Sequence, residues 1–148
     1  MKKEHILIIV LIIIIGFLCY SQFVNNTNDN KQYVVVGHSK FIIPEGYKIG
    51  HNQNHAKNLS NGTNSIFLLE NNGTDINKYI NGYKDYFNNS VVVEKLRVGD
   101  YEVYKLTPPN NSNTHHYYFV KDKRVYDIYI WDGNPNIDSE VNTILSNK

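Results

Sequence analysis

The chain has 148 residues, which suits one domain with an additional terminal segment. Hydrophobic residues make up 41% of it and charged residues 20%, a balance that supports a packed core and excludes wholesale disorder. The 15 basic and 14 acidic residues nearly cancel, so composition argues against a partner selected by charge, such as nucleic acid or an anionic lipid surface.

The N-terminal segment is predicted to be a membrane anchor. MKKEH carries two lysines and precedes an apolar run that, with SQFV, extends over residues 6–24. A helix over these residues would be about 28 Å long, close to the hydrocarbon thickness of a bilayer. Lysines before the run predict a cytoplasmic N-terminus, with the remainder of the chain outside the cell membrane.

An uncleaved signal-anchor is favoured over a removed signal peptide. The best small-residue cleavage site, Cys19-Tyr20-Ser21, is poor, and Phe17 and Leu18 stand where a lipobox needs small residues. Because Cys19 is the one cysteine, the body of the protein has neither an intrachain disulfide nor a thiolate metal site.

An Asn-rich tether over residues 25–32 leads to the body, residues 33–148. The body begins with two short strand candidates, YVVVG and KFIIPEGY. The second ends at Pro44 or lies at a sheet edge, because proline cannot donate a ladder hydrogen bond. The polar stretch 51–64 predicts a long loop, and SIFLLE over 65–70 predicts a strand.

Two amphipathic helices are predicted in the body. The first follows Thr74 or Asp75, either of which can cap it. Its apolar residues recur at helical spacing: Ile76, Tyr79, Ile80, Tyr83 and Phe87. The second lies at the C-terminus, with Asn134 or Asn136 as its cap and Pro135 in its first turn. Its expected buried face consists of Ile137, Val141, Ile144 and Leu145.

Two β-hairpins are predicted between these helices. The first turns at Gly99-Asp100, and its register sets Arg97 opposite Glu102 and Leu96 opposite Val103. It also sets Glu94 opposite Lys105, so two pairs of opposite charge support the register.

The second hairpin, turning at Asp122-Lys123, is the most aromatic part of the chain. Period-2 alternation puts its core residues on one side: Phe119, Tyr126, Ile128 and Ile130. The other side carries His116, Tyr118, Tyr129 and Trp131, an aromatic face that is either covered by a helix or exposed to a partner. The element order, β-β-β-α-β-β-β-β-α, predicts an α+β fold in which an antiparallel sheet packs with two helices.

FIIPEGY over residues 41–47 resembles the F-x-[IL]-P-x-G-[WY] opening of the PsbP-like superfamily. That group includes an extrinsic protein of the oxygen-evolving photosystem, a Ran-binding nuclear import factor and bacterial envelope proteins of the DcrB type. The order of elements agrees with it over residues 33–148, and the whole chain is similar to short membrane-anchored proteins of methanogenic archaea. The resemblance implies a sheet between helices and a non-catalytic binding or assembly role at a membrane. Tyr47 stands where the family commonly has Trp, so the partner surface is expected to differ.

Histidines suggest an alternative function in metal binding, since zinc and copper accept imidazole ligands. His51 and His55 are four residues apart, but their Asn-rich context disfavours the helix they would need. His115 and His116 are adjacent on a strand and therefore point to opposite sides. The simpler interpretation is that all four are surface or sheet-edge residues.

The turn Asp132–Asp138 resembles the first half of a calcium loop, D-x-N-x-N. Ile137 replaces the glycine of such a loop, and Thr143 stands where a bidentate glutamate belongs. A turn followed by a helix cap is therefore the favoured interpretation.

Six N-x-[ST] sequons occur, where 22 Asn and 14 Ser plus Thr predict about two by chance. They begin at Asn25, Asn58, Asn61, Asn72, Asn88 and Asn110. All lie in the tether or in predicted loops and element ends, which suits an exported glycoprotein. The alternative is that turns simply favour Asn.

Sequence motifs of catalysis are missing: there is no GxSxG, HExxH, Gly-rich phosphate loop or CxxC. The leading hypothesis is a membrane-anchored, extracytoplasmic binding or assembly module without catalytic activity or cofactor, whose partner is an envelope protein or a glycan. A metal-binding protein using the histidines or the Asp132–Asp138 turn is the alternative, and a hydrolase with scattered catalytic residues is the third hypothesis.

Overall fold

The computed structural model of the chain describes residues 14–15, 31–53, 55–110, 113–131 and 133–146. Ile14 and Ile15 are helical and exposed. The rest of the predicted anchor over 6–24, and tether residues 25–30, lie outside the described residues. In the part of the chain that is described, no helix is both long enough and apolar enough to cross a membrane.

The unit Gln32–Lys148 is an α+β structure. Its elements are β1 Tyr33–Val36, β2 Ser39–Ile42, β3 Lys48–Ile49, β4 Lys57–Ser60, β5 Ser65–Glu70, α1 Ile76–Tyr86, β6 Val92–Val98, β7 Tyr101–Thr107, β8 His115–Lys121, β9 Arg124–Ile130 and α2 Ile137–Leu145. Strands β1 and β2 form a two-stranded ribbon, and the other strands form a seven-stranded antiparallel sheet in the order β3-β4-β5-β9-β8-β7-β6. The predicted antiparallel sheet with two helices is confirmed for this unit.

Both predicted hairpins have the predicted register. Glu94 pairs with Lys105 in the first, and Phe119 with Tyr126 in the second. The turn residue Gly99 has a φ of 58°, and Asp122 and Lys123 have φ values of 50° and 61°. Positive φ at these positions is typical of the primed two-residue turns, whose twist matches that of antiparallel strands.

The larger hydrophobic core lies on the side of the sheet that packs against α2 and the β1–β2 ribbon, here called the α2 face. All four predicted core residues of the second hairpin, Phe119, Tyr126, Ile128 and Ile130, are at most 1% exposed there. They pack with the buried side of α2, which consists of Ile137, Val141, Ile144 and Leu145, as the periodicity predicts.

The opposite side of the sheet packs against α1 and is here called the α1 face. Helix α1 begins after Asp75, whose side chain accepts a hydrogen bond from the Asn77 N–H at 3.0 Å, as the capping prediction requires. Of its residues only Ile80 is buried. Ile76, Tyr79, Tyr83 and Phe87 are partly buried against Leu106, Tyr118 and Val125. The cover on this face is therefore thinner than on the α2 face.

The prediction of one long loop over 51–64 is wrong, because β4 lies within it and pairs with both β3 and β5. Leu59 is the one apolar side chain of β4 and is 0% exposed, whereas its neighbours are polar and half-buried. A strand near the edge of a sheet tolerates such a composition, because backbone pairing holds it and few side chains need an apolar surrounding. Five strands rather than three therefore precede α1.

The start of α2 also differs in detail from the prediction. The helix begins at Ile137, so Pro135 precedes it instead of occupying its first turn. Asn136 is the N-cap residue but makes no side-chain cap hydrogen bond. Asn134 Oδ1 instead accepts a hydrogen bond from the Asn136 N–H at 2.9 Å, which holds the turn before the helix.

The FIIPEGY segment builds the connection between the β1–β2 ribbon and β3. The Tyr47 N–H donates to the Pro44 carbonyl at 3.1 Å, and Gly46 has a φ of 81°, as a type II turn requires at this position. Phe41 packs edge-on against Tyr126 at 5.1 Å between ring centroids. The Tyr47 hydroxyl donates to Glu140 of α2 at 2.8 Å. Burial, reinforced by that carboxylate, raises the pKa of Tyr47 to about 12.

Candidate binding surface

Four aromatic rings cross the α1 face as a continuous row, here called the aromatic row: His116, Tyr129, Phe67 and Trp131. His116 stands opposite Tyr129, and Tyr129 stands opposite Phe67 in the strand register. Their ring centroids are 5.2 and 5.1 Å apart, and both pairs are stacked. Trp131 lies two residues beyond Tyr129 and stacks on Phe67 at 5.1 Å. Period-2 alternation, continued one residue beyond β9, therefore places Tyr129 and Trp131 on the same side of the sheet.

One end of the aromatic row is covered by α1. Tyr83 of the helix lies 4.7 Å from His116, and Tyr79 stacks on Tyr118 at 6.4 Å. Tyr118 and Tyr129 are each 7% exposed. The structure thus brings together the predicted face of His116, Tyr118, Tyr129 and Trp131. The helix covers His116 and Tyr118, whereas Tyr129 is buried among Ala56, Phe67 and Leu69.

The other end of the row is open. Trp131 is 47% exposed, while its inner side is held by Phe67 and by Tyr129 at 5.5 Å. Ser60 and Ser65 stand opposite each other on β4 and β5, on the same side of the sheet as Phe67. Extended by two residues, the register of β5 and β9 sets Ser65 across from Trp131. The open end therefore combines an aromatic ring with hydroxyl groups on the neighbouring strands, a mixture that suits a partner with both apolar and hydrogen-bonding surface.

A buried contact between a histidine and a carboxylate lies beneath the covered end. His116 Nδ1 is 2.8 Å from Asp127 Oδ2, and the two side chains are 15% and 5% exposed. Burial, followed by the charge of Asp127, raises the pKa of Tyr83 to about 12 and raises the pKa of Tyr129 as well. Tyr118, buried beside the same carboxylate, also has a raised pKa. These tyrosines are therefore neutral at physiological pH and cannot serve as phenolate bases there.

The histidines do not form a metal centre in the described part of the chain, where no group of three or more His, Cys, Asp or Glu side chains lies close enough to hold an ion. His115 Nδ1 contacts the Thr107 hydroxyl at 3.0 Å, whereas His116 contacts Asp127, so adjacent histidines have separate partners. His51 and His55 are both exposed in the segment before β4. Asp132, the first residue of the predicted calcium-like turn, lies outside the described residues.

The sequons differ in accessibility. Asn61, Asn72, Asn88 and Asn110 are exposed. Asn58 is half-buried in β4, and its Oδ1 is buried and accepts no hydrogen bond from any described residue. Asn25 lies outside the described residues. Burial therefore separates Asn58 from the other sequons of the body.

A polar cluster on the α2 face was not predicted from the sequence. Glu70 accepts hydrogen bonds from the His38 N–H at 2.7 Å, the Tyr126 hydroxyl at 2.8 Å and Arg124 at 3.1 Å. Burial opposes its ionisation, but the hydrogen bonds from His38 and Tyr126 outweigh burial and lower the pKa of Glu70 to about 2. Since His38 belongs to the ribbon turn and Arg124 to β9, this carboxylate ties the ribbon to the sheet.

Two acidic residues of α2 bind other parts of the fold, Asp138 the sheet and Glu140 the segment before β3. Asp138 accepts from the Tyr117 hydroxyl at 2.7 Å and from Lys105 at 2.9 Å, and these contacts outweigh burial to lower its pKa. Glu140 accepts from Tyr47. These contacts join residues that are far apart in the sequence, so no sequence motif marks them. The predicted strand register could have indicated only some of them.

Comparison of the chain with protein-family models and with curated protein sequences finds no match in either set.

Proposed function

We propose that this protein is a non-enzymatic binding module, anchored in the cell membrane by residues 6–24, that contacts a glycan of the cell envelope outside the cytoplasm. The observation that carries the proposal is the half-exposed Trp131, held rigidly at the open end of the aromatic row. A glycan is preferred to a protein partner because the open aromatic surface is a single ring bordered by hydroxyl side chains rather than a wide apolar patch.

The arrangement around Trp131 supports this choice. An indole that already stacks on Phe67 and Tyr129 loses little conformational freedom when a ligand covers its outer side. The apolar side of a sugar ring can lie against the indole, and Ser60 and Ser65 supply hydroxyls for the sugar's own polar groups. Contacts of this kind are individually weak, so repeated sugars or several copies of the module would strengthen binding.

The absence of catalytic activity is proposed from the state of the acidic groups. Glu70, Asp127 and Asp138 are each engaged by partners within the body of the protein. Glu140 is engaged by Tyr47 and Asn134. Each of these carboxylates joins separate segments of the chain, which is a structural use of charge. The resemblance of residues 41–47 to the PsbP-like opening points to the same non-catalytic role.

Glycan binding can be tested with the full-length chain in a neutral detergent, applied to immobilised oligosaccharides of hexoses, N-acetylhexosamines and hexuronates. We expect selective retention on part of this panel and at least a tenfold loss of affinity in Trp131→Ala. Tyr86→Ala is the matched control, because Tyr86 is 81% exposed but lies outside the aromatic row. No retention of the native chain, or equal losses in the two variants, would refute the proposal, and retention on envelope proteins instead would identify the other partner class.

The membrane topology has its own test. Protease treatment of intact cells should remove the body, residues 33–148, and leave the N-terminal segment with the membrane fraction. A body that stays protected until the cells are lysed would place it in the cytoplasm and contradict the proposal.

Glycosylation of the body is expected at exposed sequons. Mass spectrometry of the protein from its native type of host should detect hexose-containing adducts on one or more of Asn61, Asn72, Asn88 and Asn110. Asn58 should be unmodified in the folded protein, because its carboxamide oxygen is buried. A glycan on Asn58 alone would contradict this assignment.

A further inference from the structure

A groove of about 180 Å³ opens on the α2 face, away from the aromatic row. Its floor is apolar and includes Phe41 of the ribbon and Leu145 of α2, which are 3% and 2% exposed. Lys40 and Lys121 are among the residues that line it. The groove therefore combines a ring-sized apolar space with two positive charges.

Lys121 is held in place over the groove by aromatic rings. Its Nζ lies 5.4 Å from the centre of the Tyr101 ring and 5.8 Å from that of Phe41, and it donates to the Tyr101 hydroxyl at 2.8 Å. These contacts orient the ammonium group without neutralising it, because a ring face and a hydroxyl carry no net charge. The cation is thus positioned before any ligand arrives.

No carboxylate among the described residues forms an ion pair with Lys40 or Lys121. Asp122, which follows Lys121 in the chain, accepts a hydrogen bond from the Ser39 hydroxyl at 2.9 Å. The C-terminal end of α2 also borders the groove through Leu145 and contributes a partial negative charge of about half a unit. The two ammonium charges exceed the carboxylate charge of Asp122 and that partial charge taken together, so the net charge of these groups is positive.

We propose that this groove binds a small organic carboxylate whose apolar part is about one aromatic ring in size. The apolar floor accepts the ring, and the two ammonium groups receive the carboxylate. A cavity of about 150 Å³ accommodates benzene in a protein core, so the volume here suits the ring of such a ligand, with its carboxylate outside at the opening of the groove. Such a ligand is expected to bind with a dissociation constant on the order of 1 mM.

Phenylacetate is a suitable probe, with uncharged phenylacetamide as its matched control. In amide NMR titrations of the full-length chain in a neutral detergent, phenylacetate should shift resonances of the ribbon and of the C-terminal turn of α2. It should also shift resonances at the start of β7 and the end of β8. Phenylacetamide should bind at least fivefold more weakly. The emission of Trp131 should stay unchanged, because that residue lies on the opposite face of the sheet, so this result does not depend on the proposed glycan site.

Charge-removing variants test the role of the two lysines. Lys121→Gln and Lys40→Gln should each weaken phenylacetate binding at least threefold, and Lys40 is exposed, so its replacement leaves the fold intact. Lys78→Gln, on an exposed position of α1, should leave the affinity unchanged. Absence of groove shifts at 20-fold the expected dissociation constant, equal binding of the uncharged probe, or an equal effect of Lys78→Gln would overturn the proposal.

Discussion

The two faces of the seven-stranded sheet are covered in different ways, and the contrast separates stability from binding. The α2 face is covered by a helix and a β-ribbon, and the acidic residues at its borders join these covers to the sheet. The α1 face is covered by one helix with a single fully buried residue, and its aromatic row continues past that helix to the exposed Trp131. A sheet covered unequally in this way can keep a rigid core on one side and offer an ordered surface on the other.

The largest expected effect compares the same truncation on the two helices. Ile144→Ala in α2 should lower the free energy of unfolding by about 4 kcal/mol, and Ile80→Ala in α1 by about 2 kcal/mol. The reason is that Ile144 is 2% exposed within the larger core, whereas Ile80 is 7% exposed beneath a thinner cover. Urea unfolding of the full-length variants measures both values. Equal losses would show that the two faces contribute equally to the free energy of unfolding.

The second prediction concerns two glycines in the first position of two-residue turns. Gly37 and Gly99 have φ values of 57° and 58°. A Cβ added to Gly37 would lie 1.8 Å from Glu70 Oε2, whereas a Cβ added to Gly99 would have no atom within 4 Å. Gly99→Ala should therefore cost about 1 kcal/mol from backbone strain alone. Gly37→Ala should cost about 3 kcal/mol, because it also displaces the carboxylate that holds the ribbon. Similar melting temperatures for the two variants would argue against this role of the ribbon turn.

The third prediction is a pH dependence of the α2 face. The pKa of Glu70 is lowered from an ordinary 4.5 to about 2. The stability that the ionised Glu70 adds to the fold is therefore complete above about pH 4.5 and is lost as the pH falls toward 2. Glu70→Gln should reduce stability at pH 7 by roughly 1 to 2 kcal/mol, allowing for screening by solvent. The difference from the native chain should shrink steadily between pH 5 and pH 2.5.

Glu45→Gln, at an exposed carboxylate, is the control for this experiment and should change the unfolding midpoint little at any pH. A deficit in Glu70→Gln that stays constant down to pH 2.5 would mean that its cause is packing rather than charge.

The smallest expected effect lies at the open end of the α1 face. Trp131→Ala should change the free energy of unfolding by about 1 kcal/mol at most, because nearly half of the side chain is already in solvent. The same variant is expected to lose glycan binding, so affinity and stability should separate at this position. Thermal unfolding of the variant measures the stability change, and a loss above about 3 kcal/mol would make Trp131 part of the core.

Much of the body could be predicted because its signals are local. Two-residue turns and period-2 alternation determined both long hairpins, and helical spacing determined the inner sides of α1 and α2. Strand β4 was missed because KNLS has one apolar residue, and a strand next to the edge of the sheet needs no more than that. Its pairing depends on backbone hydrogen bonds, which the amino-acid composition of the strand does not reveal.

The polar contacts were harder to predict. Glu70 lies 32 residues from His38 and 56 from Tyr126, so no spacing rule connects them. The contact between His116 and Asp127 could have been predicted, because the predicted register makes the two residues diagonal neighbours on one side of the hairpin. The helix that covers them was predicted as an element, but its placement over His116 depends on packing between distant segments.

Strand β6 forms one edge of the sheet and carries three charged residues, Glu94, Lys95 and Arg97, which affect how copies of the chain can pair with one another. In a hairpin closed by two turn residues, alternate positions direct their N–H and C=O groups outward, here Val93, Lys95 and Arg97. Two copies of β6 could pair antiparallel in several registers. Each register that pairs most of the strand sets Lys95 opposite Lys95 or Arg97, or it sets Glu94 opposite Glu94. Parallel pairing in register would place each charge beside its own duplicate. Crowded copies of this protein should therefore resist edge-to-edge aggregation through β6.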